Sequence, residues 1–409
     1  MARFLTLDDV KVKDKVTLVR VDFNSPIDPK TKKVLDDTRI RAHGETTIKE
    51  LAQKGAKVVV LAHQGRQGDP DFTPLKQHAE ILSKVLGMPV KYVDDVFNQK
   101  AQKAIRELKS GEVLVLENVR TFAAETNKGT PEGHAKTEMV SQLTPLANLF
   151  VNDAFAAAHR AHISIVGFTT KLPSAAGRIM EKELKSLTRV IENPEKPCIY
   201  ILGGAKADDS LGISEYVLDN GIADYVLTGG VVGHVFLAAK DFDLGKPNMD
   251  FLQQKELLNL LPGIKELMSK HPEKIKVPED IAVEVDKRRK EISVSKLPTN
   301  YLIFDVGAET VRNYSEIIQK AKSIVISGPM GVFENSEFVY GTKRIFEEVT
   351  NSKAFSLAGG GHTIAALEEL GLTKKISYVS TAGGALIEFL MGGKLPGVVA
   401  LKKTAVRKT

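Results

Sequence analysis

The sequence predicts an α/β protein with two doubly wound parallel sheets, each covered by helices on both faces. Three observations predict it. Short apolar runs alternate with segments of helical period from end to end, the pattern of parallel strands joined by crossover helices. The runs fall into two series separated by one long amphipathic segment. The residues that follow the predicted strands differ between the series: arginine and histidine collect in the first, glycine in the second.

Val16-Thr17-Leu18-Val19-Arg20-Val21 reads as a buried strand ending at Asp22-Phe23-Asn24. Asp37 or Thr38 can cap a helix over about residues 39–54, and Gly55 can end it. The run from Ala56 to Ala62 is the next strand, and a right-handed crossover makes the two parallel, with both carboxyl ends on one edge. Further strands are expected at residues 112–117 and 148–151. The second series is expected at residues 198–202, 223–227, 301–304, 323–326, 354–357 and 376–379. Between the series, Pro173-Ser174 opens an uninterrupted helical stretch to Glu192. Met180, Leu184, Leu187 and Ile191 lay one apolar stripe along it. Its place between two complete α/β series makes it a connecting helix. The basic run from Lys402 to Thr409 reads as a solvated end.

At 409 residues the chain has room for two or three domains. Hydrophobic residues at 43% and charged residues at 26% exclude a disordered or fibrous chain. The net charge of +6 is compatible with nucleic acid or with a small anion, so its placement decides. A single cysteine, Cys198, excludes an internal disulfide framework and points to a reducing cytosol. Neither a signal peptide nor a run of ~20 apolar residues for a membrane helix is found. A cytoplasmic protein is expected.

Ligands of open parallel sheets bind beyond the carboxyl ends of the strands. The first series places Asp22 and Asn24 there, then His63-Gln64-Gly65-Arg66, Asn118 and Arg120, Asn152-Asp153, and the loop His159-Arg160-Ala161-His162. Arg39 opens a helix beside them. Each arginine alone reads as a solvated side chain, but several converging on one edge need an anion to offset their repulsion. Zinc at His159 and His162 is unsupported, with one cysteine in the chain and no carboxylate-rich neighbour. The second series collects Gly203-Gly204-Ala205-Lys206, Gly229-Gly230, Gly328-Pro329-Met330-Gly331, Gly359-Gly360-Gly361-His362 and Ala382-Gly383-Gly384. Any one is most simply a tight turn; five on one rim favour backbone approaching a nucleotide, with helix N-termini offered to phosphates. No P-loop motif occurs, and Thr228-Gly229-Gly230-Val231-Val232-Gly233 matches the dinucleotide fingerprint weakly, which leaves a dehydrogenase open. A nucleic-acid binder would interleave aromatics with basic clusters, whereas aromatics are 6% and the arginines sit singly after strands.

Arg20-Val21-Asp22-Phe23-Asn24, Asp37-Thr38-Arg39-Ile40, Gly65-Arg66, Val151-Asn152-Asp153-Ala154-Phe155 with Ala158-His159-Arg160-Ala161-His162, Ser174-Ala175-Ala176-Gly177, Met180-Glu181-Lys182-Glu183-Leu184, Leu202-Gly203-Gly204-Ala205-Lys206, Gly328-Pro329-Met330-Gly331-Val332-Phe333-Glu334 and Leu395-Pro396-Gly397-Val398 come in order over nearly the whole chain. Together they resemble phosphoglycerate kinases. The resemblance implies two Rossmann-like lobes facing each other across a hinge cleft: residues 1–172 with 395–409, a connecting helix at 173–192, and residues 193–394. It implies reversible phosphoryl transfer between ATP and the carboxylate of 3-phosphoglycerate.

In the first lobe the resemblance assigns Asp22, Phe23, Asn24, Arg39, His63, Gln64, Gly65, Arg66, Arg120 and Arg160 to 3-phosphoglycerate. His63, Arg66, Arg120 and Arg160 take its phosphate and Arg39 its reacting carboxyl. In the second lobe it assigns the nucleotide to Gly203, Gly204, Ala205, Lys206, Gly229, Gly230, Gly328, Pro329, Glu334, Gly359, Gly360, Gly361 and His362. Arg39 and Lys206 would stabilise the migrating group once the lobes close. Magnesium would arrive as Mg-ATP or Mg-ADP, held by phosphates and water, with no other cofactor. The partners implied are the two small substrates, neither nucleic acid nor membrane, for a monomer or homodimer. Six positions depart from the common family pattern: Ala62, Gln64 and Gln67 in Ala62-His63-Gln64-Gly65-Arg66-Gln67 for Ser-His-Leu-Gly-Arg-Pro, Ser210 for a second lysine, Ser327 for asparagine, and His362 for aspartate. These look like the archaeal branch.

Overall fold

The central strands of both principal sheets are buried and made largely of Val, Leu and Ile, as expected where helices cover both faces. In the computed structural model of the chain, residues 4–406 are described. The first sheet contains β1 (Val16–Arg20), β2 (Lys57–Leu61), β3 (Val90–Tyr92), β4 (Val113–Val115), β5 (Leu149–Asn152) and β6 (Ser174–Ala176). Their order is β3-β4-β2-β1-β5-β6, and every neighbour is parallel. Alternation along the strands divides the core. Val19, Val58, Val60 and Val113 pack on one face, and Leu18, Val59, Leu61 and Leu114 on the other.

The second half contains β7 (Cys198–Leu202), β8 (Tyr225–Thr228), β9 (Ile275–Lys276), β10 (Asp280–Val285), β11 (Arg288–Ser293), β12 (Ile303–Val306), β13 (Ser323–Ser327), β14 (Phe355–Gly359) and β15 (Tyr378–Ser380). Its parallel sheet runs β15-β14-β13-β7-β8-β9. The remaining three strands form a separate antiparallel sheet, β11-β10-β12.

Two compact units account for the fold. The first takes the chain as far as Leu184 and again from Lys394; the second is Lys185–Gly393. The helix Arg178–Ile191 contributes residues to both.

Four expectations are corrected. The strand expected at residues 301–304 is β12, which pairs antiparallel with β10 and lies outside the parallel series. Ser174–Ala176 is an edge strand paired with β5, so the long helix starts only at Arg178. The helix expected over 39–54 carries a π-helical turn at Gly44–Ile48, where a side chain at Gly44 would meet Leu82 Cδ1 at 2.9 Å. Finally, Lys402 to Val406 is not a loose end. The helix Pro396–Val406 packs on the first unit, with Leu401 and Thr404 buried and Thr404 Oγ1 donating to the Thr169 carbonyl at 3.3 Å. Arg407–Thr409 lie outside the described residues.

Candidate active site

The first site is built where β1, β2, β4 and β5 end. Asp22 follows β1, is buried, and forms an ion pair with Arg39 at the start of the next helix. Behind it, the Asp22 N–H donates to His43 Nε2 at 3.3 Å, so the proton of His43 sits on Nδ1 and is given to Asp153 Oδ2 at 2.7 Å. Asp153 Oδ1 accepts from the N–H groups of Ile179 and Met180 in the first turn of the long helix. Asn24 Oδ1 accepts from the Gly65 N–H at 2.8 Å, and the Gly65 carbonyl accepts from Arg120 Nη1. Gly65 has φ +64°, and a Cβ there would lie 2.5 Å from the Phe72 nitrogen. Only glycine joins Asn24 to Arg120 this way.

Arg66, Arg120, Arg160 and His162 line one cavity of about 360 Å³, closed by Phe122, Ala123 and Thr126. Burial, and then the charges of Arg160 and Arg20, push Arg120 down to about 10. Burial with Arg66 close by lowers Arg160. Burial and the arginines pull His162 down to about 3, and His63 falls well below its ordinary value for the same reasons. Arg20 Nη2 donates to His63 Nδ1 at 3.1 Å, and arginine cannot accept, so the His63 proton is on Nε2. The site therefore presents desolvated guanidinium groups and neutral imidazoles, an arrangement that an anion stabilises.

Phe23 and Gln64 stand behind this surface. Phe23 is fully buried, stacked on His78 at 6.5 Å. Gln64, also fully buried, accepts from the Ser25 N–H at 2.8 Å and donates to the Ser25 and Asp71 carbonyls.

In the second unit the glycine turns cross each other's backbones. A Cβ on Gly203 would meet the Pro329 carbonyl oxygen at 2.2 Å, and one on Gly328 (φ +97°) the Gly203 carbonyl oxygen at 2.1 Å. These two glycines answer first to chain packing. Gly204, Ala205, Gly230 and Pro329 line a cavity of about 180 Å³ whose other walls are Val231, His234, Ile303, Phe304, Gly331 and Val332. Glu334 and His362 complete it; both are exposed, 3.9 Å apart, and so stand at its mouth. Lys206 precedes the helix Ala207–Asp219, is exposed, and lies 3.8 Å from Asp209. The Gly359–His362 segment leads into the helix Gly361–Glu369, with Gly360 at φ +95°. Gly229 follows β8, and its N–H donates to the Leu202 carbonyl.

Two parallel-sheet units, an arginine-lined cavity on one and a glycine-walled cavity on the other are compatible with phosphoryl transfer, and comparison with known proteins decides the family. A sequence profile described as phosphoglycerate kinase matches residues 7–393. The chain belongs to the phosphoglycerate kinase family. It is 49% identical over 404 residues to the phosphoglycerate kinase of Methanobacterium bryantii, covering 99% of this chain and 98% of that protein. With the phosphoglycerate kinase of Thermococcus sibiricus it shares 46% over 402 residues, covering 97% and 96%. The crystal structure of phosphoglycerate kinase from Pyrococcus horikoshii OT3 superposes with a TM-score of 0.87 at 41% identity, covering 99% of this chain and all of that one. The phosphoglycerate kinase structure from Coxiella burnetii gives 0.85 at 32%, covering 98% and 100%. The reaction that follows from membership is phosphoryl transfer between ATP and the carboxylate of 3-phosphoglycerate.

Sequence reading gave no role to Arg20, Glu125 or His234. Arg20 is almost fully buried, and its Nε donates at 2.8 Å to Ser164 Oγ, which in turn donates to Glu125 Oε1 at 2.6 Å. One signal was available: a lone charge inside an apolar strand must find a partner. Glu125 and His234 gave no such signal. Ser210, where the family often has lysine, is buried, and its carbonyl accepts from Ser214 Oγ at 2.7 Å.

Proposed function

We propose that the first unit holds 3-phosphoglycerate and the second holds ATP. The observation that carries this reading is the cavity of Arg66, Arg120, Arg160 and His162, where positive charge is concentrated and desolvated. Forked guanidinium donors suit the phosphate of the substrate. Asp22 and Asn24 take the hydroxyl and carboxyl end, and Arg39, held by Asp22, meets the reacting carboxylate. Phe23 and Gln64 act from behind by fixing the loop that carries them. The nucleotide base enters the cavity walled by Val231 and Phe304, Glu334 at its mouth takes the ribose hydroxyls, and Lys206 with the Gly359–His362 turn meets the phosphates.

Making an acyl phosphate requires no covalent enzyme intermediate, only in-line positioning and neutralised charge. Arg39 and Lys206 are the cations we assign to the migrating group. Among the described residues no group of three or more His, Cys, Asp or Glu side chains could hold a metal ion. We assign the magnesium ion to the nucleotide, held by its phosphates and water, where it would offset phosphate charge. No helix among the described residues is long and apolar enough to cross a membrane. We place the enzyme in the cytoplasm, as a monomer or homodimer acting on these two substrates and no nucleic acid. A coupled assay with ATP and 3-phosphoglycerate tests the reading, with glycerate as control. Turnover with the phosphorylated acceptor and none with glycerate is expected; equal turnover with both would remove the arginine cavity from the function.

A further inference from the structure

The second unit's cavity contains one polar side chain with nothing to bind. His234 lies in the second turn of the helix Gly230–Ala239 and is 9% exposed. It shares the wall with Val231, Ile303, Phe304 and Val332. Among the described residues its imidazole has no hydrogen bond, ion pair or ring contact. The backbone of the glycine turns nearby is engaged: the Gly204 N–H donates to the Pro329 carbonyl at 2.7 Å and the Gly230 N–H to the Met330 carbonyl at 2.7 Å. Burial holds His234 down to about 4, so at neutral pH the ring carries one N–H donor and one bare nitrogen acceptor. Neither ring nitrogen of His234 is sealed off inside the protein, so the imidazole opens on the cavity, where a ligand can supply its partner. The cavity has a volume of about 180 Å³ and flat apolar walls, which suit a flat base.

We propose that His234 is a specificity-determining residue that hydrogen-bonds the polar edge of the nucleotide's purine base. The inference rests on the reading that this cavity receives the base. Its walls give affinity without selection, because Val231, Phe304 and Val332 accept any heteroaromatic ring. His234, the buried polar group, distinguishes one ring edge from another.

The test compares wild type with His234→Phe, which keeps a flat ring and removes both nitrogens. KM is measured for ATP, 1-deaza-ATP, 7-deaza-ATP and purine riboside triphosphate, each lacking one polar feature of the edge. In the wild type at least one analogue should show a KM about fivefold to tenfold above that of ATP, the loss expected of one hydrogen bond to a buried partner. His234→Phe should raise the KM for ATP by a similar factor and abolish the difference between ATP and that analogue, with kcat little changed. His234→Asn, which keeps a donor and an acceptor, should recover part of the loss. An unchanged KM for ATP, or the same factor for ATP and every analogue, overturns the proposal, since a merely packed histidine would act uniformly. Should His234→Phe not fold, the imidazole 15N shifts of wild-type His234 replace it: ATP should move one ring nitrogen, and no movement overturns the proposal. Val231→Trp separates this from failure of the site itself. If that cavity-filling change leaves the KM for ATP unaltered, the base binds elsewhere; if it abolishes binding while His234→Phe has no effect, only the role of His234 falls.

Discussion

Replacing Arg120 by methionine should make the ligand-free protein more stable and the ligand-bound protein less so. Arg120 is 8% exposed, and its only described side-chain hydrogen bond runs to the Gly65 carbonyl. Its fall from an ordinary 12.5 to about 10 comes first from burial and then from Arg160 and Arg20. That fall corresponds to about 3 kcal/mol spent on keeping the guanidinium charged in the fold. Methionine retains an unbranched stem for packing and removes the charge. Losing a charged hydrogen bond takes back roughly 1.5 kcal/mol, leaving a gain of about 1–2 kcal/mol and, for a unit of this size, a rise of a few degrees in Tm. The same change deletes a charge-assisted donor from the anion cavity, so the Kd for 3-phosphoglycerate should rise about 10²-fold or more, a loss of about 2.7 kcal/mol at saturating ligand that outweighs the gain in the free state. The assay is thermal denaturation with and without 3-phosphoglycerate at constant ionic strength, because screening alters exposed charges. The two melting curves should exchange order between the free and bound states. A variant less stable when free, yet stabilised by the ligand as much as wild type, would show that the cluster serves the fold and not the substrate.

Arg39→Ala should lower turnover by roughly 10²-fold or more while changing nucleotide affinity little, since Arg39 belongs to the first unit and is proposed to act on the reacting carboxylate and the migrating group; equal, mild losses in kcat and in ATP affinity would contradict its assignment. Acid should destabilise the fold through buried imidazoles: His78 and His162, pulled mainly by burial to about 4 and about 3, stay neutral while the unfolded chain takes up protons below about 6.5. Their contribution is complete above 6.5 and falls away toward 4 to 3, by about 2 kcal/mol each between pH 7 and 5. Glu125 runs the other way, because burial raises it to about 7; its contribution is complete below about 4.5 and lost as pH rises to 7. Glu125→Gln removes that offset, so its urea midpoint should fall more steeply from pH 7 to 5 than that of wild type, and parallel profiles would refute the assignment. Gly65→Ala, strained at φ +64° and blocked by Phe72, should lose stability and raise the KM for 3-phosphoglycerate; Gly68→Ala, at φ +93° with nothing within 4 Å, should cost about 1 kcal/mol and leave KM unchanged. Matching effects at the two glycines would show that the Asn24–Gly65–Arg120 link does not matter.

The parallel sheets were legible because their strands are buried on both faces and so read as continuous apolar runs. Cys198–Leu202 was expected and observed with the same ends. The strands that were missed lack that signature. β11 contains Arg288-Arg289-Lys290-Glu291, and its hairpin turns through Asp286 and Lys287 at positive φ without the usual glycine. β6 is three small residues at a sheet edge, continuous in sequence with a strong helix. In the C-terminal helix, Lys402 and Lys403 drew attention from the buried positions Val398, Leu401, Thr404 and Ala405, whose spacing was already helical. At the sites, arginines standing singly after strands were visible in one dimension. The depth of Arg20, the raised Glu125 and the unpartnered His234 were not, because they depend on which distant segments close over them. The glycines divided too: Gly203 is required by the Pro329 carbonyl and Gly328 by the Gly203 carbonyl, whereas nothing lies within 4 Å of a Cβ at Gly361.

The central claim is that the desolvated arginine cavity is the phosphate end of the acceptor site. A crystal structure with 3-phosphoglycerate bound tests it most directly. The phosphate should lie within hydrogen-bond distance of Arg66, Arg120 and Arg160, with the carboxylate toward Arg39. A ligand seated in the reverse sense, or outside this cavity altogether, would contradict it.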